Sequence, residues 1–139
     1  MDDAFQLNER LEADTYALGD LPLCRVLLMD DARYPWLILV PRRADVTEII
    51  DLSVSDRALL IEEIASAQRA LNTVTRPDKL NVGALGNVVK QLHVHVIARF
   101  TSDPAGTGPV WGVGERRPYP PHMVGPLLDK LQKALGFGS

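Results

Sequence analysis

At 139 residues the chain has the length of one domain, and its 46% hydrophobic and 24% charged residues are the balance of an ordinary globular protein. A net charge of −3 argues against a surface built to wrap nucleic acid, which needs a broad basic patch, but leaves room for a small anionic substrate met by local arginines. Cys24 is the single cysteine, which excludes an intramolecular disulfide and a cysteine-based zinc cluster.

The start, MDDAFQ, is acidic and lacks the apolar stretch of a signal peptide. No apolar run approaches the roughly 20 residues needed to cross a bilayer. The expectation is a cytoplasmic enzyme or binding module with neither membrane nor nucleic acid as partner.

Residues 5–18 read as a short helix that stops at Gly19-Asp20. The run LPLCRVLLM, 21–29, is a strand closed by Asp30-Asp31, and within it Cys24 reads as a small core residue. Residues 36–40, WLILV, form a second strand stopped by Pro41, so the two make a hairpin through DDARYP. Ser53 or Ser55 can cap the next element, with Asp56 in its first turn. From there Leu60, Ile64, Ala67 and Leu71 fall on one stripe of a long helix that Pro77 ends. Residues 79–83 and 88–98 read as two more strands around GALGN. After Phe100 the segment 101–121 is rich in Gly and Pro and should be ordered but irregular. An amphipathic helix carrying Met123, Val124, Leu127, Leu128, Leu131 and Leu135 closes the chain. The pattern is one α+β domain over 1–139, a sheet with helices packed on one side.

The stretch QLHVHVIARF holds two of the three histidines. Side chains on a strand alternate, so Gln91, His93 and His95 share one face and Leu92, Val94 and Val96 the other, which is core. Two chemistries fit the polar face. His93 and His95 could offer two imidazoles to a metal, with a third ligand from His122, Asp30, Asp31 or Glu115, none at a diagnostic spacing. Alternatively one imidazole is a nucleophile whose ring is oriented through its other nitrogen. That reading needs donors nearby for an anionic group, and NVGALGNVV supplies Asn81, Gly83, Gly86 and Asn87 just upstream.

At these residues the chain resembles a family. NVGALGNVVKQLHVHVIAR is similar to the signature of the histidine triad (HIT) proteins, in which a glycine-containing turn leads into a strand reading H-φ-H-φ-H, and LILVPRR before a helix matches their order of elements. The resemblance runs from about Leu23 to Arg99. It implies a HIT-like fold, an antiparallel sheet with a long central helix and a C-terminal helix. It also implies a homodimer that binds nucleotides and cleaves phosphoanhydride or related bonds, diadenosine polyphosphates among them, at the α-phosphate. His93 matches the nucleophile that becomes nucleotidylated, and His95 the third histidine. Gln91 stands where the first histidine would be; it keeps the main-chain carbonyl that holds the nucleophile's ring and loses a titratable group. Asn81, Gly83 and Asn87 match residues around the phosphate, and Asp30 or Asp31 the carboxylate that accepts ribose hydroxyls. Val88 falls where some phosphoramidases carry a serine. No resident cofactor or metal is implied, and Mg2+ would enter only with the substrate.

Arg33, Arg42, Arg43, Arg99, Arg116 and Arg117 read mostly as surface charges, any one of which could meet an outgoing phosphate, and Trp111 as a loop anchor or a base-stacking ring. Two other classes remain open: a metal-dependent enzyme using His93 and His95 as ligands, and a nucleotide-binding regulator without turnover.

Overall fold

Apart from Arg25, CRVLLM and WLILVP are apolar throughout because both faces of the sheet they build are covered. The computed structural model describes residues 4–138; Met1–Asp3, half of the acidic start, and Ser139 lie outside them. Among the described residues β1 (Thr15–Asp20), β2 (Cys24–Met29), β3 (Trp36–Pro41), β4 (Lys79–Gly83) and β5 (Val94–Arg99) form one sheet in the order β1-β2-β3-β5-β4. Every neighbouring pair is antiparallel. Helix α1 (Glu9–Ala13) precedes β1, α2 (Val54–Thr75) links β3 to β4, and α3 (Pro121–Ala134) closes the chain. No helix is long and apolar enough to cross a membrane among the described residues.

Side-chain alternation sorts the core into two layers. Val26, Leu28, Leu37, Leu39, Val94 and Val96 meet α2 and α3, which contribute Leu60, Ala67, Leu71, Val124 and Leu131. The expected two helices therefore cover one side. The other side is not bare: Leu27, Trp36, Ile38, Val40 and Ile97 are buried under Leu11 of α1 and Val110 of the Gly/Pro-rich loop.

Three expected boundaries move. The helix expected over 5–18 is only α1, because Asp14 ends it and the chain then runs as β1, with Thr15 opposite Met29. The strand expected from Leu21 starts at Cys24, since Leu21 and Cys24 close a turn around Pro22, which has no N–H for a ladder. The strand expected over 88–98 is β5, beginning at Val94, so Gln91 and His93 precede the ladder. α2 follows expectation, with Ser53 accepting from the Asp56 N–H and Arg76 in the left-handed region before Pro77.

Two buried charges fasten this frame. The Glu63 carboxylate on α2 accepts the Leu23 and Cys24 N–H groups, each at 2.8 Å. Burial and that carboxylate push the Cys24 thiol well above its ordinary value, so it is core, not nucleophile. At the end of β5, Arg99 donates to both Asp103 oxygens (2.7 and 2.9 Å) and to the Gly106 and Gly108 carbonyls (2.9 and 2.8 Å). This holds the loop over the sheet.

Arg99 lowers the Asp103 carboxyl from 3.8 to about 2. A depressed folded value stabilises the native state above the unfolded pKa, and that contribution disappears as pH falls through the folded one. At about 1.4 kcal/mol per unit the lowered carboxyl, held by Arg99 together with the Phe100 and Ala105 N–H groups, is worth about 2–3 kcal/mol at neutral pH. Asp103→Asn should therefore lower stability by that order near pH 7, with the difference from wild type shrinking between about pH 4 and pH 2. Urea unfolding across that range measures it, and a pH-independent difference would mean the charge itself contributes nothing.

Candidate active site

The site lies at the start of β5, where the chain returns from the edge strand β4. Gly86 makes the return turn with φ +76°, a left-handed conformation that suits glycine. Leu92 then donates its N–H to the Val46 carbonyl, pinning the chain before it enters β5. His93 comes immediately ahead of the ladder, and His95 sits opposite Ile38, on the face that carries Trp36. The two imidazoles are buried and packed edge to face, with centroids 4.9 Å apart.

Each ring has one nitrogen committed, and the two commitments are opposite in sense. His93 Nδ1 lies 2.7 Å from the Gln91 carbonyl oxygen, which can only accept, so Nδ1 carries a hydrogen and, in the neutral ring, Nε2 the lone pair. His95 Nδ1 lies 3.0 Å from Trp36 Nε1, an indole N–H that can only donate, so here Nδ1 is the acceptor and Nε2 carries the hydrogen. Burial, and secondly His93, lower His95 from 6.5 to about 4, which keeps it neutral at physiological pH. The pair presents one unshielded lone pair and one N–H donor.

A cleft of about 400 Å3 opens on both histidines. Leu11, Met29, Trp36 and Ile38 form its apolar wall, and Trp111 closes it with its ring centroid 5.3 Å from that of His95. Asn87 and Val88 also line it, and its charged groups are Arg10 and Asp14 from the N-terminal segment. On its other side His93 lines a second cleft of about 380 Å3 with Glu48, Ile49, Ile50 and Leu85, and among the described residues no Lys or Arg lines it.

Of the residues singled out in the sequence, the structure brings His93, His95, Gly86, Asn87, Val88 and Trp111 to the main cleft. The Gln91 side chain turns away from the histidines: its oxygen accepts the Asn8 N–H at 2.8 Å, and its amide donates to the Gln6 carbonyl at 2.9 Å. Its expected place beside His93 is taken by its main chain alone. Asp30 and Asp31 do not line the cleft either. Asp31, 1% exposed, accepts from the Arg33 N–H and guanidinium and from the Arg117 N–H, while Asp30 accepts the Tyr119 N–H at 2.8 Å. Burial raises the Asp31 carboxyl, but the Arg33 bonds outweigh it and hold the group below its ordinary value. The acidic pair closes the β2–β3 connection onto the loop's end. The Asn81 amide oxygen is taken by Arg99 at 2.9 Å. Gly83 lies under Trp111, whose ring stands 2.9 Å from where a Cβ would be.

The arginines are likewise mostly structural: Arg42 donates to the Leu21 carbonyl, Arg43 pairs with Asp56, and Arg116 lies 3.6 Å from Asp14. The third ligand required by a metal site is not assembled, since among the described residues no three His, Cys, Asp or Glu side chains stand together to hold an ion. His122 is on α3, which packs on the opposite face of the sheet. Sequence reasoning missed Trp36, Arg10, Leu11 and Asp14. Trp36 looked like one more apolar strand residue, and nothing local connects residues 10–14 to a strand eighty positions later.

Residues 10–102 match the HIT domain, and the chain belongs to the HIT family. It is similar to a histidine triad protein from Bradyrhizobium japonicum, at 49% identity and TM-score 0.93 over 95% of this chain and 98% of that one. A histidine triad protein from Marinobacter aquaeolei shows 45% identity and TM-score 0.92, covering 95% and 96% of the two chains. Among curated proteins, the AP-4-A phosphorylase of Mycobacterium tuberculosis is 36% identical over 80 residues, 50% of this chain. The match spans only 40% of that longer protein.

The Gly83–Trp111 contact yields a test of the cleft wall. Gly83→Ala should push Trp111 off His95, because a methyl placed 2.9 Å from an indole ring forces the ring to shift. The expected signature is loss of near-ultraviolet circular dichroism from the edge-to-face Trp36–Trp111 pair, with destabilisation of about 1–3 kcal/mol. An unchanged spectrum would show that Trp111 does not rest there in solution.

Proposed function

We propose that the protein is a nucleotide hydrolase or nucleotidyltransferase that cleaves a phosphoanhydride or related bond at a nucleotide α-phosphate through a nucleotidyl-His93 intermediate. The observation that carries this reading is the His93 Nδ1–H bond to the Gln91 carbonyl. It leaves Nε2 as a neutral nucleophile in a buried ring that lines the cleft, and it strengthens as the ring becomes positive. Gln91 then occupies the first place of the triad, and the main-chain carbonyl supplies what the mechanism needs of that position. Family membership and the partial likeness to AP-4-A phosphorylase support the same class.

In the first step Nε2 of His93 forms a bond to phosphorus as the bond to the leaving oxygen breaks, and the leaving group departs with that electron pair. In the second, water attacks phosphorus and gives up a proton to solvent, the N–P bond breaks with its electron pair returning to Nε2, the mononucleotide leaves, and neutral His93 returns. The nucleotide takes the cleft lined by both histidines, its base against the apolar wall, with Asn87 and Arg10 near the phosphates and Asp14, instead of Asp30 or Asp31, available to the sugar hydroxyls. The second cleft beside His93 receives the leaving group. Protein-bound metal has no part in these steps, and Mg2+ would act only by screening substrate phosphates. The edge strand β4, with Val82 exposed, is the surface through which a cytoplasmic homodimer would form; sedimentation of wild type against Val82→Lys checks it.

His93→Ala should abolish turnover by several orders of magnitude while nucleotide binding survives. The panel is dinucleoside polyphosphates, nucleoside phosphoramidates and adenylylated small molecules, with acid-labile label trapped on His93 in the wild type. A variant that still turns over at a near-normal rate would rule out the covalent route.

A different loss is expected at Gln91. Gln91→Ala keeps the carbonyl but releases residues 6–8, and with them the segment that brings Arg10 and Asp14 to the cleft. KM should rise about tenfold with kcat nearly unchanged, as when ground-state and transition-state binding are weakened alike. Asp14→Asn should raise KM similarly but leave amide exchange of residues 6–12 at the wild-type rate, whereas Gln91→Ala should accelerate it. A fall in kcat alone for Gln91→Ala would assign its amide to the chemistry itself.

A further inference from the structure

Trp36 takes no part in the attack on phosphorus and meets the cleft only with its apolar ring, yet the one polar atom of its side chain is spent on His95. The indole is 5% exposed, and a buried indole N–H requires an acceptor; the acceptor it has is His95 Nδ1, at 3.0 Å. The bond cannot easily swing away. Trp36 is held edge to face by Tyr34, Trp111 and His95 itself, with interplanar angles of 70°, 83° and 63°. β3 and β5 are locked in register on either side of the contact, with Trp36 opposite Ile97 and Ile38 opposite His95.

We infer that Trp36 is a positioning residue that holds His95 as the neutral Nε2–H tautomer, so that His95 acts as a fixed hydrogen-bond donor to a phosphoryl oxygen and never carries the proton of the reaction. The role assigned to the phosphoryl oxygen rests on the reading proposed above; the tautomer does not. An imidazole that already bears hydrogen on Nε2 can be protonated only at Nδ1, and Nδ1 is occupied by the indole donor. Protonation must therefore break the Trp36 bond, which disfavours the cation and adds to the lowering by burial and by His93. The other charged groups at this cleft are Arg10 and Asp14 of the N-terminal segment, opposite in sign, while β4 presents Gly83 and the loop presents Trp111, both neutral. His93 and His95 thus divide the work. One ring is turned by a carbonyl to expose a lone pair, and its neighbour is turned by an indole to expose a hydrogen.

The test begins with the free wild-type protein, without substrate. In 15N-labelled protein, a 15N–15N coupling across the hydrogen bond between Trp36 Nε1 and His95 Nδ1 is expected. Long-range 1H–15N spectra, with the three imidazoles assigned by His93→Gln and His122→Gln, should show His95 as the Nε2–H form alone and neutral at pH 6. In Trp36→Phe, which keeps an aromatic ring and removes the donor, the Nδ1–H form should appear and the His95 titration should move up by about one pH unit. On the substrate found with the panel above, kcat should fall about tenfold with KM little changed, the scale of losing an orienting partner. Finding His95 as Nδ1–H in the wild type, finding no coupling, or finding its tautomer and titration unchanged in Trp36→Phe would each overturn the inference. The wild-type spectra decide it even if Trp36→Phe does not fold. If the spectra are as expected but no nucleotide substrate turns over, it is the proposed function that fails and not the Trp36–His95 device.

Discussion

The structure depends on how the second face of the sheet is covered. α2 and α3 bury the first face in the ordinary way, by apolar stripes. The other face receives no long helix, only five residues of α1 and a Gly/Pro-rich loop that has little regular hydrogen bonding of its own. Arg99 compensates for that. A guanidinium is a rigid planar fork with five donors, and here those donors gather Asp103, the carbonyls of Gly106 and Gly108, and the Asn81 side chain at the end of β5. A buried cation with so many acceptors leaves little desolvation uncompensated, and the loop carrying Val110 and Trp111 is thereby fixed against the strands.

That covering layer creates the chemistry. A sheet face open to water would leave His93 and His95 solvated and free to exchange tautomers. Under Trp111, Leu11 and Trp36 they are buried except where they face the cleft, and a ring nitrogen turned into the protein must find a partner or remain unsatisfied. The two partners are of opposite polarity, a carbonyl for His93 and an indole N–H for His95. Chemically equivalent side chains, two positions apart, become an acceptor and a donor. The difference in role between them comes from their hydrogen-bond partners, since residue type is the same.

The N-terminal segment has a related part. It is tied down by the Gln91 side chain and places Arg10 and Asp14 at the cleft, so the residue at the first triad position contributes its main chain to one function and its amide to another. The acidic pair at 30–31 shows the converse. Its carboxylates have the chemistry to bind sugar hydroxyls but are consumed by Arg33 and by the N–H groups of Arg117 and Tyr119, which hold the returning loop.

The sequence by itself determined the elements whose signals are local. Period-two and period-3.6 patterns, the Ser53 cap and the stops at Pro41 and Pro77 located β3, α2, β4 and α3, and the spacing of Gln91, His93 and His95 marked the site. It also located the fold family, because the glycine turn and the H-φ-H strand are contiguous in the chain. Tertiary structure decided everything that required a partner distant in sequence. Helix and strand propensity compete over residues 5–18, and β1 prevailed because Thr15–Asp20 could pair with β2. Whether a carboxylate is a ligand group or a structural brace depends on which donors arrive beside it: Asp31 has Arg33 two positions on, but the N–H groups of Arg117 and Tyr119 reach Asp31 and Asp30 from nearly ninety positions away. Trp36 reads as an apolar strand residue until β5 is laid against β3. Only then does its single N–H meet an imidazole, and a hydrogen bond between distant residues has no signature in the order of either.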